Sequence, residues 1–329
     1  MSQRNFGMIL SVVALTVATA GAQQQTAPQL EAQARAAQPP WTFISFDVPQ
    51  AKSSSAWGIN GDGAVVGTFT DTAGKQHGYL LIGGVFTTID YPNALSTVAR
   101  GINNHGDIVG WHVDAKGLPG GGMRGFLLQH GVFTDVIDPK HLNSMPMRIT
   151  DDGPIVGCVH DADTMGTMHG FVFSNGKFSE LSTPASMSNG VTPDGSMTAG
   201  FYFPDTTNDN FDRGYIAGGG NLAPFDYPFS TFTDVWDINA SAEVVGDYGD
   251  AAGNEHGFLL TPSLVDPTFG ITPPAGISLS YNFVSIDYPA ATLTQANGIN
   301  RHGDVVGLYE DSAGAQHAFL LLQARRRTR

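Results

Sequence analysis

The chain has 329 residues and a formal net charge of −14 at pH 7, a charge that disfavours nucleic acid and anionic membranes as partners. Its 41 glycines, 19 prolines and 41% hydrophobic residues favour many short strands joined by tight turns over a fold of long helices. Beyond the first residues, no apolar run is long enough to span a membrane.

The first 22 residues are predicted to be a secretory signal peptide. Arg4 precedes an apolar stretch at residues 8–18, and Ala20-Gly21-Ala22 provides a small-x-small cleavage site. Residues 23–40 are rich in Gln and Ala and end in two prolines, which predicts a disordered linker. We therefore expect an exported protein, secreted or periplasmic, whose folded part begins near Trp41.

One phrase recurs six times between residues 41 and 322. It consists of a Gly-Ile-Asn-like strand, a turn, a Val-Val-Gly strand, a His-Gly-aromatic-Leu element and a turn proline. The glycines that close the Val-Val-Gly element are Gly67, Gly110, Gly157, Gly200, Gly246 and Gly307. They are 43, 47, 43, 46 and 61 residues apart, and the turn prolines keep nearly the same period. Such a period indicates a repeat architecture.

Each repeat contains four short strands, a to d, which is the pattern of a propeller blade. The ordered region opens with an isolated strand d at residues 43–48 and closes with strands a, b and c at residues 296–322. Joining these ends completes a blade and removes a free sheet edge. The sequence therefore predicts an all-β protein, a six-bladed β-propeller with four antiparallel strands per blade, whose last blade is closed by the N-terminal strand.

The motif Gly-Ile-Asn-x-x-Gly-x-Val-Val-Gly, followed by His-Ala-Phe-Leu, resembles the HAF-type probable extracellular repeat family of bacteria. The sixth repeat carries His317-Ala318-Phe319, whereas the second and fourth have Arg124 and Arg213 in place of the histidine. The resemblance covers residues 41–322. It implies an exported repeat protein and provides no catalytic residue.

Two sets of aspartates recur with the blades and are interpreted as parts of the scaffold. One set is expected to pair, across the b–c loop, with the cation that begins strand c. Its members are Asp71, Asp114, Asp161, Asp205, Asp250 and Asp311, facing His77, Arg124, His169, Arg213, His256 and His317. The second set, next to the turn proline, is expected to accept backbone N–H groups. It comprises Asp47, Asp90, Asp138, Asp226 and Asp287.

Two further features are assigned to packing. The lone Cys158 is interpreted as a small buried residue on a strand and not as a reactive thiol. An aromatic residue occupies the same place in every strand c and is expected to pack between neighbouring blades. These aromatics are Tyr79, Phe126, Phe171, Tyr215, Phe258 and Phe319.

The residue before the Gly of Gly-Ile-Asn varies among the repeats, so the scaffold does not dictate it. These residues are Trp57, Arg100, Met147, Asn189, Trp236 and Asn297, and they are expected to ring the central axis. Two indoles, a guanidinium and amides fit a polar ligand that can stack, such as a carbohydrate. We select Trp57, Arg100, Trp236 and Asn297 as candidate ligand-binding residues; the alternative is irregular filling of the blade tops.

Length variation collects in the b–c loops, which share one face with the d–a loops, so that face is expected to carry the binding function. One of these loops holds Asp205, Asp209 and Asp212, weak candidates for a calcium site against the alternative of an acidic solvated loop. No other metal and no cofactor is expected. The basic residues 323–329 are interpreted as a solvated end.

These observations favour an exported, non-catalytic binding or interaction module that presents its ligand face on the b–c and d–a loops. Its expected partner is an extracellular glycan or protein, with neither nucleic acid nor a membrane span involved. The alternative function is a polysaccharide hydrolase or lyase with carboxylates in the central cleft.

Overall fold

A computed structural model describes residues 41–114, 122–161, 167–205, 211–263 and 280–323. Every long regular element within these ranges is a β-strand, and none of the described residues forms a helix that could cross a bilayer. The predicted signal peptide, linker and most of the basic tail lie outside the described residues.

The strands form six four-stranded antiparallel blades around one axis, as the repeats predict. Blade 1 contains β2 (Ser53–Ile59), β3 (Val65–Thr70), β4 (Gln76–Ile82) and β5 (Val85–Ile89). Blade 2 contains β6 (Ala94–Ile102), β7 (Ile108–Asp114), β8 (Met123–Gln129) and β9 (Val132–Asp135). Blade 3 contains β10 (Asn143–Ile149), β11 (Ile155–His160), β12 (His169–Ser174) and β13 (Lys177–Pro184).

Blade 4 contains β14 (Ser186–Val191), β15 (Met197–Tyr202), β16 (Arg213–Gly218) and β17 (Asn221–Phe225). Blade 5 contains β18 (Thr233–Ile238), β19 (Val244–Gly249), β20 (Glu255–Ser263) and β21 (Ser280–Ile286). Blade 6 contains β22 (Leu293–Ile299), β23 (Val305–Glu310), β24 (Gln316–Leu322) and the N-terminal β1 (Thr42–Phe46). A single parallel bridge, Glu255 to Leu293, links blades 5 and 6 into one sheet.

The ring is closed by the pairing of β1 with β24. The two strands run antiparallel, with Phe43 opposite Leu321 and Phe46 opposite Ala318. Phe43 packs edge-on against Tyr288 and Phe319, with ring centroids 5.2 and 5.5 Å apart. The prediction that the N-terminal strand completes the last blade is therefore confirmed.

A bulge in every strand a explains why the Val-Val-Gly element ends in glycine. The pairing of strands a and b skips one residue of strand a in all six blades. In blade 2 a Cβ on Gly110 would lie only 1.9 Å from the carbonyl oxygen of Val98, and the other five blades repeat this collision. Only glycine allows strand b to approach the bulge so closely.

The aromatic residues of strand c pack where this glycine leaves room. All six of them, Tyr79, Phe126, Phe171, Tyr215, Phe258 and Phe319, are fully buried. Apolar side chains of neighbouring blades join them in common clusters; for example, Tyr79 of blade 1 packs in the same cluster as Val306 of blade 6. The hydrophobic core therefore lies between blades, and the packing role predicted for these aromatics is confirmed.

Candidate functional site

Each strand a, the innermost strand of its blade, contributes one bulged residue. A bulge redirects a side chain out of the alternation of its strand. The bulged residues are Trp57, Arg100, Met147, Asn189, Trp236 and Asn297, the six variable positions of the sequence. The structure thus places all four candidate ligand-binding residues at these bulges.

Arg100 and three tryptophans form a group that we call the axial cup: Trp57, Arg100, Trp111 and Trp236. The guanidinium carbon of Arg100 lies 3.8 Å from the ring centroid of Trp57, 5.0 Å from that of Trp236 and 5.7 Å from that of Trp111. The rings of Trp57 and Trp236 meet edge to face at 6.2 Å. A cation between indole faces is a favourable arrangement, and the sequence analysis did not include Trp111.

Burial differs sharply within the axial cup. Arg100 is 4% exposed, and its Nε is buried with no hydrogen-bond partner among the described residues. Burial and the neighbouring charge of Arg148 lower the pKa of Arg100. The three indoles remain half-buried. The cup therefore offers aromatic surface to solvent around a poorly solvated cation.

Hydrogen bonds within the propeller occupy the indole N–H groups and leave the ring faces for stacking. Nε1 of Trp57 donates to Oγ1 of Thr68 at 3.0 Å, and Nε1 of Trp236 donates to the carboxylate of Asp247. Asn297 is fully buried and donates its amide N–H to the carbonyl of Ala56 at 3.0 Å. Asn297 therefore ties blade 6 to blade 1, and its amide oxygen has no partner among the described residues.

Beside the cup, Arg148 and Asp237 fill the axis, and we call this pair the axial plug. Nε of Arg148 lies 3.1 Å from Oδ2 of Asp237, and both side chains are under one-tenth exposed. The guanidinium also donates to four backbone carbonyls, those of Trp57, Arg100, Met147 and Asn297. One side chain thereby connects five of the six blades.

The axial plug was not predicted from the sequence, although the repeat contains a sign of it. Arg148 and Asp237 occupy the position of the Gly in Gly-Ile-Asn, where the other blades have Gly58, Gly101, Gly190 and Gly298. A Cβ on Gly101 would lie 2.6 Å from the carbonyl of Met147, so the innermost strands pack backbone to backbone there. Two larger residues then fill the space that the four glycines enclose.

The a–b side of the plug is occupied by a ring of asparagines from Gly-Ile-Asn. The amide of Asn60 donates to the carbonyl of Asn103, and that of Asn300 donates to the carbonyl of Asn60. Each asparagine also caps its own a–b turn; Oδ1 of Asn60 accepts from the N–H groups of Asp62 and Ala64. A cavity of about 60 Å³ lies at this end and is lined in part by the plug. This motif is accounted for by the fold.

An acidic group lies against Trp236, on the side of the axial plug opposite the asparagine ring. Its members are Asp212, Asp234, Asp247 and Glu255. Burial, then the charges of Asp247 and Asp212, raise the pKa of Asp234 well above its usual range. Burial and the charge of Glu255 likewise raise the pKa of Asp247. Carboxylates with raised pKa values beside a cleft are candidates for acid–base chemistry.

The weak calcium candidates divide between two places. Asp212 belongs to this acidic group, and Asp205 lies at the end of the described part of the b–c loop. Asp209 lies outside the described residues, as does most of each expanded b–c loop.

The recurrent aspartates form the predicted ion pairs in blades 1, 2, 5 and 6. The histidines of blades 1, 5 and 6 each contact two carboxylates: the b–c loop aspartate at 3.3–3.4 Å and the aspartate that follows strand d at 2.6–2.8 Å. In blade 2, Arg124 lies 3.5 Å from Asp114. In blade 4, Arg213 donates to Asp226, also after strand d.

Blade 3 departs from this pattern, and one grouping from the sequence is wrong. Asp161 lies 3.3 Å from His141 of the preceding d–a loop, not against His169. Asp138 does not correspond to the aspartates after strand d; its backbone N–H donates to Oγ of Ser144, as that of Tyr91 donates to Thr97. Asp138 therefore occupies the tyrosine position of Asp-Tyr-Pro, and Ile137 replaces the aspartate. The difference was not visible in the sequence because Asp138 stands directly before its turn proline, one residue later than the other aspartates.

Cys158 packs as predicted. It is fully buried on β11, with Sγ 3.9 Å from Sδ of Met145, and burial raises the pKa of its thiol to about 12.

The comparisons support the fold. No model of a known protein family matches the chain, and no curated protein matches it. Among solved structures, Aleuria aurantia lectin in complex with Fucα1-6GlcNAc aligns at 12% identity with a TM-score of 0.50, covering 84% of this chain and 93% of the lectin. The β-propeller domain of the Trilobed protease from Pyrococcus furiosus aligns at 14% identity with a TM-score of 0.46, covering 82% and 94%. TolB from Acinetobacter baumannii aligns at 11% identity and 0.46, covering 83% and 65%. At such identity, the lectin likeness shows the fold alone: a β-propeller.

Proposed function

We propose that this protein is an exported, non-catalytic binding module whose axial cup takes a saccharide. The observation that carries the proposal is the axial cup itself: three half-buried indoles around Arg100, whose Nε has no partner among the described residues. The scaffold does not require this set, because the same bulge holds Met147 or Asn189 in other blades. Sugar rings stack on indoles, and their hydroxyl or carboxylate groups accept from a guanidinium.

Export and family membership form part of the same proposal. The arginine, apolar stretch and small-residue site at the N-terminus support cleavage of a signal peptide. The His317-Ala318-Phe319 repeat supports a place in the HAF-type extracellular repeat family. N-terminal sequencing of the protein recovered from an expressing bacterial culture tests export; a cytoplasmic, uncleaved chain would contradict it.

The ligand test is a saccharide array on the protein lacking residues 1–22, followed by calorimetric titration of the strongest hit. The panel includes fucosylated glycans, since a propeller of similar fold was solved with Fucα1-6GlcNAc, and uronic-acid oligosaccharides, whose carboxylates suit Arg100. We expect the double variant Trp57→Ala, Trp236→Ala to weaken binding at least tenfold. The matched control is Trp41→Phe, which lies outside the cup in the cluster of blade 6. Equal affinity of wild type and double variant would contradict the proposal.

The acidic group favours a second candidate function, a polysaccharide hydrolase or lyase. Burial raises the pKa values of Asp234 and Asp247, and both lie beside Trp236, which is the setting expected of a proton-donating carboxyl. Asp237, the carboxylate on the axis itself, is bound to Arg148 and to the N–H groups of Ile238 and Ile299. Steady product release from a polysaccharide, abolished in Asp247→Asn, would establish the enzyme and contradict the binding module.

A further inference from the structure

The d–a loop that leaves blade 2 and strand d of blade 3, which lie together, differ from most other blades at three positions. The first is Asp138. Its backbone N–H bonds to Oγ of Ser144, and the same bond is made by Tyr91, Tyr227 and Tyr288 in other blades. Each of these tyrosines stacks at 3.6 Å on a ring of the next strand b. Blade 3 therefore has a carboxylate where three other blades have a stacked phenol.

The second position is His141, three residues further along the loop. Its backbone N–H donates to the carbonyl of Asp138, the bond that Ala51, Ala94, Ser230 and Ala291 make in the other described loops. Small residues are therefore sufficient for this turn. The imidazole in the loop before blade 3 has no role in forming it.

The third position is Glu180 on β13, which pairs with Phe171. The corresponding residues in blades 1, 5 and 6 are Thr88, Ser285 and Ser45, and blade 2 has Asp135, which accepts from the hydroxyl of Tyr91. Ser45 and Ser285 there bond the hydroxyls of Tyr309 and Tyr248. In blades 2, 5 and 6 the residue at this position bonds a tyrosine hydroxyl, whereas in blade 3 Glu180 lies against a histidine.

These three departures converge. Each of Asp138, His141 and Glu180 offers one ligand atom, and these three atoms lie within 4.8 Å of one another. Nε2 of His141 lies 3.5 Å from Oε1 of Glu180, and Nδ1 lies 3.3 Å from Asp161. Nζ of Lys140 lies 3.8 Å from Oε1 of Glu180. The histidine thus contacts two carboxylates, Asp161 and Glu180, and the exposed lysine contacts Glu180.

Asp138 is buried, His141 is half-buried and Glu180 is exposed, so it is the burial of Asp138 that distinguishes this group from a solvated acidic patch. Asp138 is only 2% exposed, and its Oδ2 has no hydrogen-bond partner among the described residues. Nδ1 of His141 is also buried without a well-oriented hydrogen bond. A buried carboxylate oxygen left unpaired is costly unless a cation or donor meets it.

We propose that Asp138, His141 and Glu180 form a binding site for a divalent transition-metal ion of the zinc class. Imidazole nitrogen and carboxylate oxygen are both zinc ligands, and three protein ligands leave a fourth position for water or for an oxygen of a bound molecule. Asp161 supports the histidine from outside, and the ring of His169, 6.1 Å from that of His141, lies next to the site. The sequence analysis expected no metal here.

The competing explanation is an imidazolium bridge. His77, His256 and His317 already lie between two carboxylates in their blades, and His141 repeats this geometry with Asp161 and Glu180. That explanation accounts for His141 and Glu180 but leaves Oδ2 of Asp138 without a partner. The two explanations differ in the result expected when metal is added.

The test uses the protein lacking residues 1–22, stripped with a chelator and titrated with Zn²⁺ by calorimetry at pH 7.5. We expect one site, lost or weakened at least about tenfold in His141→Ala and in Glu180→Gln. The second variant keeps the shape of the side chain, so the outcome does not depend on whether the histidine variant folds. The matched control is His77→Ala, which removes a histidine between two carboxylates in blade 1 and should leave zinc affinity unchanged.

A zinc anomalous difference map from crystals of the titrated protein locates the ion. Density between Asp138, His141 and Glu180 is the expected result. Absence of stoichiometric binding would overturn the proposal, as would a loss of affinity in His77→Ala equal to that in His141→Ala. Either outcome would leave the imidazolium bridge as the explanation of the cluster.

Discussion

Blades 1 and 3 both place a histidine between two carboxylates, but the two arrangements have different roles. In blade 1, His77 lies between Asp71 and Asp90 and closes the loops of its own blade. In blade 3, the histidine that contacts two carboxylates comes from a neighbouring loop and stands beside a buried, unpaired oxygen of Asp138. Residues that keep the repeat serve the scaffold, whereas residues that break it build arrangements found once per molecule.

The axis teaches the same lesson. Four blades keep a glycine in Gly-Ile-Asn, and the inner strands pack there without side chains. Blades 3 and 5 replace it with Arg148 and Asp237, which form an ion pair and connect five blades. One position earlier, the six bulged residues vary among the blades, and three of them, Trp57, Arg100 and Trp236, belong to the axial cup.

The largest effect is expected from breaking the axial plug. Arg148→Met leaves the buried Asp237 without its counter-ion and four carbonyls without their donor, so the free energy of unfolding should fall by about 3–5 kcal/mol. Adding Asp237→Leu removes the orphaned charge and should recover part of the loss. Urea denaturation measures both; a loss below about 1 kcal/mol in the single variant would mean that the plug is not a stabilising element.

A smaller loss is expected where the repeat is kept. Asn103→Ala removes an amide that donates to the carbonyl of Thr150 and an oxygen that caps the turn at His105 and Asp107. Because these groups are buried, the unfolding free energy should fall by about 2 kcal/mol. Asn282→Ala, an exposed position on β21, is the control and should change it by less than about 0.5 kcal/mol. Equal losses of unfolding free energy in the two variants would contradict the structural role assigned to the asparagine of Gly-Ile-Asn.

The histidine pairs predict a pH dependence of stability above pH 6.5. Hydrogen bonds to Asp287 and Asp47 raise the folded pKa values of His256 and His317 above 6.5. The stabilisation is therefore fully present below pH 6.5 and is lost as the pH rises through the folded values. The double variant His256→Gln, His317→Gln should flatten the decline in unfolding free energy over this window. A wild-type profile that rises there would contradict the assignment.

The smallest effect concerns Cys158, a departure from the repeat that serves packing. Because the thiol is fully buried and its pKa is raised to about 12, the folded protein should not react with a disulfide reagent at pH 8. One thiol should react after unfolding in guanidinium chloride. Rapid modification of the native protein would show that the β11 region opens readily.

The repeat predicted the fold because its markers are local and numerous. Six glycines, six aromatics and two incomplete ends were enough to specify blades and closure, and variation among repeats identified the bulged ring. The plug could not be predicted, because Arg148 and Asp237 lie in different blades and meet only across the axis. The blade 3 cluster was hidden because Asp138 next to Pro139 resembles the Asp-Tyr-Pro element displaced by one residue. Trp111 joins the cup from strand b, which the comparison of strands a did not cover.

The most direct test of the central claim, that the axial cup binds a saccharide, is hydrogen exchange followed by mass spectrometry. The protein lacking residues 1–22 is compared with and without its strongest saccharide from the array. We predict protection in the peptides of the axial cup, residues 53–60, 96–113 and 232–239, with little change in the b–c loops of blades 1 and 6. Protection centred on His77 and His317, with none in the cup, would contradict the account.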